Sequence, residues 1–451
     1  MTEGVENPPS NFTGILKRLG PGLILAGSIV GSGELVATTR TGAEAGFTLL
    51  WLIIVGCVLK VFCQIEISRH CIVNRETTIS ALLRIPKFGK FVAWFWFITF
   101  LSGLGQLGGI VGGVGQALEI TAPIFGEHSA KWWAAIVTAV TVVMLARGGF
   151  TFIEIFCTVL VGAFTIITVG NLFALQTKPE WAISGEELAS GLTFSLPGVD
   201  GALLTALATF GIIGVGAAEL VAYPYWCLEK GYGRWIGPRD GSPEWLKRAR
   251  GWIGILKIDA WGSMVVYTLS TVAFYLLGAA VLNRAGILPE REEMISKLAA
   301  MYEPVFGDTG RLVLLVGAFA VLFSTFFVSN ATKSRLMTDA LHVFKIRKLA
   351  DGNERTKSIR FFGWLFPILC LGIYLIYPSP LKLVLFSGLM QALLLPLLSI
   401  AALYFRFQVR DPELKPSRLW DAFLILSTIA FWIVGIYLVW TKGGQLWAAL
   451  F

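Results

Sequence analysis

The chain is short of charge. Of its 451 residues only 15% are Asp, Glu, Lys or Arg, whereas 55% are hydrophobic. A soluble domain carries about 25% charged residues, so an ordinary soluble enzyme or binding module is excluded. Histidine is scarcer still, with three residues at 70, 128 and 342, all near the ends of apolar runs, which leaves no buried histidine relay for protons. The six cysteines form no CxxC pair and lie mostly in apolar runs. They read as small buried hydrophobes, so neither a disulfide framework nor a cysteine metal cluster is indicated. No signal peptide precedes the first apolar run, no phosphate-binding loop appears, and no nucleophile–base pair stands in the polar loops. Enzyme chemistry and a resident cofactor are therefore not expected. The net charge of +8 does not point to nucleic acid, because Lys and Arg are gathered in alternate loops.

What is present is apolar length. About 20 apolar residues cross the hydrocarbon core as a helix. By that measure about eleven spans are expected, over residues 20–42, 47–68, 91–119, 131–147, 151–175, 199–226, 253–283, 310–341, 361–377, 381–407 and 420–440. Lys17 and Arg18 precede the first span. Basic clusters then follow spans two, six, eight and ten, while the loops after spans five and seven are acidic or mixed. The excess of Lys and Arg places the N-terminus in the cytoplasm and the C-terminus outside. The chain reads as an integral protein of the cell's inner (plasma) membrane. Its partners are the lipid bilayer and a small ion or solute, not nucleic acid. The stretch 287–306 is expected to form an external interfacial helix.

Two spans carry the same interruption. Gly31-Ser32-Gly33-Glu34-Leu35-Val36-Ala37 lies in the first, and Gly216-Ala217-Ala218-Glu219-Leu220-Val221-Ala222 in the sixth. Glycine costs about 1 kcal/mol against alanine in a helix interior. Irregular backbone at membrane depth survives only where protein buries it or a cavity receives it. Paired interruptions at matching places in two halves of a chain mark the binding site of inverted-repeat transporters. A broken helix presents carbonyl oxygens at one end, suited to a cation, and N–H groups at the other, suited to an anion. The candidate binding residues are therefore Gly31, Ser32, Gly33, Glu34, Ala217, Ala218 and Glu219. Gln391 of span ten is added as a side chain within reach of the same centre. Glu34 and Glu219 are the candidate metal ligands, giving a hard, oxygen-only site suited to Mg²⁺, Ca²⁺ or Mn²⁺, or to an organic cation. The competing reading of each Glu is a cap on its own half-helix. Gln106 and Gln116 lie in a glycine-rich third span, where close helix packing is favoured. Ser324, Thr325, Ser329 and Asn330 are weighed as a second cation site, and Glu154 as a structural hydrogen-bond partner.

The first span and its flanks, GPGLILAGSIVGSGELVATTRTGAEAGFTLLW, resemble the opening of the Nramp divalent-metal transporters. The likeness continues more weakly through GFTFIEIF, FGIIG and LMQALLLPL. It implies an all-α membrane fold of the LeuT type, two inverted five-helix repeats plus one helix, with helices one and six broken. On that pattern one transmembrane domain fills the chain, with repeats over about 20–175 and 199–407 and the extra helix over about 420–440. The family's metal motifs are not kept. Its DPGN motif falls on Gly31, Ser32, Gly33 and Glu34. Its metal-binding Met and following His fall on Ala218 and Leu220, its span-ten Gln falls on Gly388, and the acids of its span-three proton route become glycine or Gln106. The resemblance implies a secondary transporter of a divalent cation, with Glu34 and Glu219 in place of the lost ligands. The departures leave a second expectation beside it, a transporter of the same fold for a small cationic or zwitterionic organic solute.

Overall fold

Pro21 opens the first membrane helix, α1 (Pro21–Ile29), at a position where its missing N–H is no loss. Two N–H groups there are taken up from elsewhere in the bundle. Asp259 accepts from Gly20 N at 2.8 Å and from Gly22 N at 2.6 Å, which gives the Gly20-Pro21-Gly22 sequence its reason. The computed structural model describes residues 4–124, 126–147, 150–198, 201–289, 293–347, 352–409 and 411–450. For Ser32, residues 150–154, 156–158, 161, 308 and 442–450 it describes the backbone alone.

From α1 the chain runs through a π-helical segment, Val30–Thr38, into α2 (Thr39–Ala45). There follow α3 (Leu50–Asn74), α4 (Gly89–Thr121), α5 (Ser129–Arg147) and α6 (Phe150–Leu175). The second half begins with α7 (Ala202–Ile212) and α8 (Ala217–Lys230). It continues with α9 (Pro243–Leu277), α10 (Asp308–Val343), α11 (Gly352–Ile376), α12 (Pro380–Phe407) and α13 (Arg418–Leu450). No strand occurs among the described residues.

Nine helices of the described residues are long and apolar enough to cross a bilayer, or ten if the bent pair around residue 30 is one span. The expected span at 151–175 is helical as α6, but only Gly162–Leu175 qualifies as an apolar helix among the described residues. Several helices overrun the apolar runs that announced them. One is α9, which starts at Pro243 under a cap in which Ser242 Oγ accepts from Trp245 N at 3.1 Å. Hydropathy delimits the oily part of a helix; caps delimit the helix.

Glycine sets how closely the helices approach. A Cβ on Gly109 would stand 2.6 Å from Pro380 O, one on Gly108 2.8 Å from Cys370 O, and one on Gly115 2.2 Å from Ala130 O. The third span therefore packs on α5, α11 and α12 by its backbone, as small-residue interfaces in membranes do. The same holds between α7 and α12, where a Cβ on Gly211 would lie 2.0 Å from Gly388 O.

The stretch 287–306 departs from expectation. Instead of one interfacial helix it forms two short pieces, Met294–Ala299 and Glu303–Phe306. Met294, Ile295, Leu298, Met301 and Tyr302 are buried, so its apolar face meets the bundle instead of a lipid surface. Residues 290–292 lie outside the described ones.

Candidate functional site

The two interruptions take different forms. Span one does not unwind. It bends by 42° between Pro21–Ile29 and Gly33–Ala45 and stays helical with a widened, π-type turn. Its loosened carbonyls are met at five-residue spacing by threonine hydroxyls, Thr38 donating to Gly33 O at 2.9 Å and Thr39 to Glu34 O at 3.4 Å. The glycines serve contact. A Cβ on Gly31 would lie 2.2 Å from Thr325 Oγ1, and one on Gly33 3.0 Å from Ile212 O.

Span six is opened in full. Between α7 and α8 the residues Ile213–Gly216 are non-helical, and Gly214 adopts φ +54°, a left-handed conformation that favours glycine. Four backbone groups at and beside the break are met by side chains from three other helices. On the carbonyl side, Lys60 of α3 donates from Nζ to Phe210 O, and to Ile213 O at 2.8 Å. On the N–H side, Gly214 N donates to Glu34 Oε1 at 3.2 Å, and Ala218 N donates to Gln391 Oε1 at 3.1 Å. Glu34 thus reaches across to the other break, with Thr271 donating to the same Oε1 at 3.0 Å, and its Oε2 has no hydrogen-bond partner among the described residues. Glu219, the third residue of α8, curls back over the helix start, its Oε2 standing 2.6 Å from the place of a Cβ on Gly216. That is the posture of a cap.

A small cavity of about 50 Å³ opens beside this break. Ala218, Glu219, Gln391, Gln106, Ser28 and Lys333 are among the residues that line it. Lys333 of α10 is buried, donates to Phe100 O at 3.3 Å, and holds its ammonium 4.4 Å from the centre of the Phe100 ring. Gln106 Oε1 accepts from Gln391 Nε2 at 2.9 Å and from Ser387 Oγ at 3.0 Å. The cavity wall thus carries one carboxylate, one ammonium and a linked pair of amides.

Of the residues singled out from the sequence, Ala218, Glu219 and Gln391 come together on the cavity. Glu34 is fully buried behind it, as are Gly31, Gly33 and Ala217. The side chains of Ser32 and Glu154 lie outside the described ones. Gln106, expected to serve helix packing, lines the cavity as well as bonding to α12. Of the hydroxyl set on α10, Thr325 alone is seen bonded to span one, donating to Gly27 O at 3.1 Å, while Ser324 and Asn330 bond back to their own helix and Ser329 faces the cavity. Lys60, Lys333 and Asp259 were missed. Each was visible as an ionisable residue inside an apolar run, a functional pointer by default. Among the described residues no group of three His, Cys, Asp or Glu side chains is placed to hold a metal ion.

Sequence comparison decides the family. Residues 22–441 match the model of the family described as Nramp, natural resistance-associated macrophage protein-like. The chain belongs to the Nramp family. Nramp proteins are transporters, so this one is an integral membrane transporter and not an enzyme. Comparison with curated proteins gives no match. Among solved structures, the chain is similar to a manganese transporter of Eremococcus coleocola, with TM-score 0.74 and 18% identity over 96% of this chain and 89% of that one. It is also similar to MhsT in complex with L-phenylalanine, with TM-score 0.55 and 17% identity over 96% and 99% of the two chains. A third is Mhp1, a nucleobase-cation-symport-1 family transporter with bromovinylhydantoin bound, at 0.57 and 13% over 98% and 97%. At such identities the likeness shows the fold, which is the all-α LeuT type.

Proposed function

We propose that this Nramp chain is a secondary transporter that moves a divalent cation across the cytoplasmic membrane by alternating access, Mg²⁺ or Mn²⁺ in preference to Fe²⁺. Membership of a metal-transporting family and likeness in fold to a manganese transporter support the divalent cation. The observation that carries the reading is the carboxylate of Glu219 on the wall of a cavity beside an opened helix, with Glu34 buried near it, its Oε2 unpartnered among the described residues. The polar groups on that wall offer oxygen and nitrogen and no sulfur or imidazole; such donors suit a hard cation. In this reading Glu34 and Glu219 are the metal ligands, Gln391 assists, and Gly31, Ser32, Gly33, Ala217 and Ala218 shape the breaks. One domain holds two inverted repeats, about 20–175 and 199–407, followed by the helix at about 420–440. The N-terminus is cytoplasmic and the C-terminus external, as the basic loops require.

The test is Mg²⁺ and Mn²⁺ uptake into proteoliposomes. The native protein should carry at least one of the two ions, and Glu219→Gln should lower that flux by about ten-fold or more, since it removes charge from a site of low dielectric. Absence of both fluxes from folded protein rejects the reading.

One observation favours the alternative of a small zwitterionic solute: Lys333 and Glu219 line the same small cavity. An ammonium there repels a divalent ion yet complements a carboxylate on an organic substrate. Two of the fold relatives were solved with organic ligands. Lys333→Gln separates the readings. Divalent uptake should hold or rise on loss of the repelling charge, whereas uptake of a zwitterion should collapse.

A further inference from the structure

We infer that the carbonyl end of the broken sixth span is a cation site filled by the protein's own ammonium, that of Lys60, so that no free cation is bound there. A helix interrupted at membrane depth leaves carbonyl oxygens without amide partners, and their partial negative charge calls for a cation. Here the last turn of α7 ends at Ile212, and the carbonyls of Phe210 and Ile213 both receive Lys60 Nζ. The ammonium also lies 4.6 Å from the centre of the Phe210 ring, a cation–π position. Lys60 is fully buried in the middle of α3, and a solvated surface role is closed to it. Isolated, such a charge is costly. Its place is explained by what it replaces: a monovalent ion dehydrated by carbonyl oxygens and an aromatic face.

The opposite side of the same break is filled in the complementary way. Oxygen atoms of Glu34 and Gln391 accept from the N–H groups of Gly214 and Ala218. The carbonyl end thus meets a tethered cation and the N–H end meets tethered oxygen acceptors, and the backbone of the break is a fixed structural element. Substrate contacts fall instead to the side chains that line the neighbouring cavity. Lys60 is a positioning residue in this account, because it acts through the carbonyls of α7 and the loop.

Substitution to alanine empties the site, and small cations serve as the probe. Thermal unfolding of the purified full-length protein is measured in choline chloride, sodium chloride and methylammonium chloride. The native protein should unfold at the same temperature in all three. Lys60→Ala should unfold about 10 °C lower in choline, and methylammonium, which is small enough to replace the missing ammonium, should restore at least half of that loss. Choline, too large for the vacated space, should not. Lack of recovery in a folded Lys60→Ala protein overturns the inference, as does native-like stability in choline. If Lys60→Ala does not fold, Lys60→Gln is measured instead, since its amide donates to the same carbonyls without charge. An unfolding temperature below that of the native protein, with uptake slowed about ten-fold, supports the tethered cation. Native-like behaviour of Lys60→Gln overturns it.

Discussion

The two interrupted spans share the sequence Glu-Leu-Val-Ala after three small residues, yet they solve opposite problems. Around Gly31 and Gly33 the helix widens, bends and remains helical, with threonine hydroxyls taking its loosened carbonyls. Around Gly214 and Gly216 it opens outright and is held by charged and amide side chains from α3, α12 and the first span. The difference lies outside the repeated motif. Upstream of the second copy, Gly214 supplies a left-handed residue, and neither Gly31 nor Gly33 has positive φ. Downstream of the first copy, Thr38 and Thr39 stand at the spacing a π-turn needs. A repeated motif therefore signals a repeated location, while its neighbours decide the conformation.

Substitutions can break that contrast or sharpen it. The largest effect is expected from Gly214→Ala, which combines positive φ with a Cβ 2.9 Å from the Tyr267 ring. It should destabilise by about 3 kcal/mol or more, read as a fall in unfolding temperature, and uptake should fall with it. Glu34→Ala comes next. It leaves Gly214 N without its acceptor, while Thr271 Oγ1 still donates to Tyr267 O at 2.6 Å, a loss of about 1–3 kcal/mol, whereas Glu34→Gln keeps an acceptor and should stay near native stability while still lowering cation uptake. A smaller and reversible effect should follow Gly31→Ala, which meets Thr325 at 2.2 Å. Adding Thr325→Ala should recover about 1 kcal/mol of its cost, a coupling of the size seen between touching residues. Gly214→Ala has no such single compensating partner. The yardstick outside both breaks is the Arg284–Glu187 pair at 2.5 Å. Partial burial would raise the Glu187 carboxyl, but Arg284 and the Ser184 N–H outweigh it and hold the pKa below the usual carboxylate range. The pair therefore stabilises above the ordinary carboxylate pKa, and the gain disappears as pH falls through the lowered folded value. Arg284→Ala should remove about 0.5 kcal/mol at neutral pH and flatten this acid dependence.

Much of the architecture was legible in the sequence. Low charge and long apolar runs gave the membrane class, and the Gly20-Pro21-Gly22 opening with the stretch up to Trp51 gave the family. The location of both interruptions followed from glycine in apolar surroundings, and so did close packing by α4. Reading conformation from the motif was less successful. Glycine marks a place where backbone is weakly constrained or closely approached, and only the neighbours, Thr325 and Ile212 in one case and Lys60 and Gln391 in the other, distinguish the two. The roles of Lys60 and Lys333 depend on contacts between residues more than a hundred positions apart. Their identity as charges in apolar runs was readable, but their partners were not. Gln391 illustrates the same limit. The resemblance placed the family's span-ten glutamine at Gly388, but there a Cβ would stand only 2.4 Å from Ala208 O, and the amide three residues on reaches the cavity.

Asp259 has a consequence for motion. Its carboxylate receives the N–H groups of Gly20 and Gly22 and the hydroxyl of Tyr223 at 2.8 Å. One side chain of α9 thereby ties the foot of the first span to the outgoing half of the sixth. Any displacement of α1 relative to α9 must either release the two glycine hydrogen bonds or carry α9, and with it the Tyr223 hydroxyl of α8, along. Because both glycine bonds end on one carboxylate, the tie is made or lost as a unit.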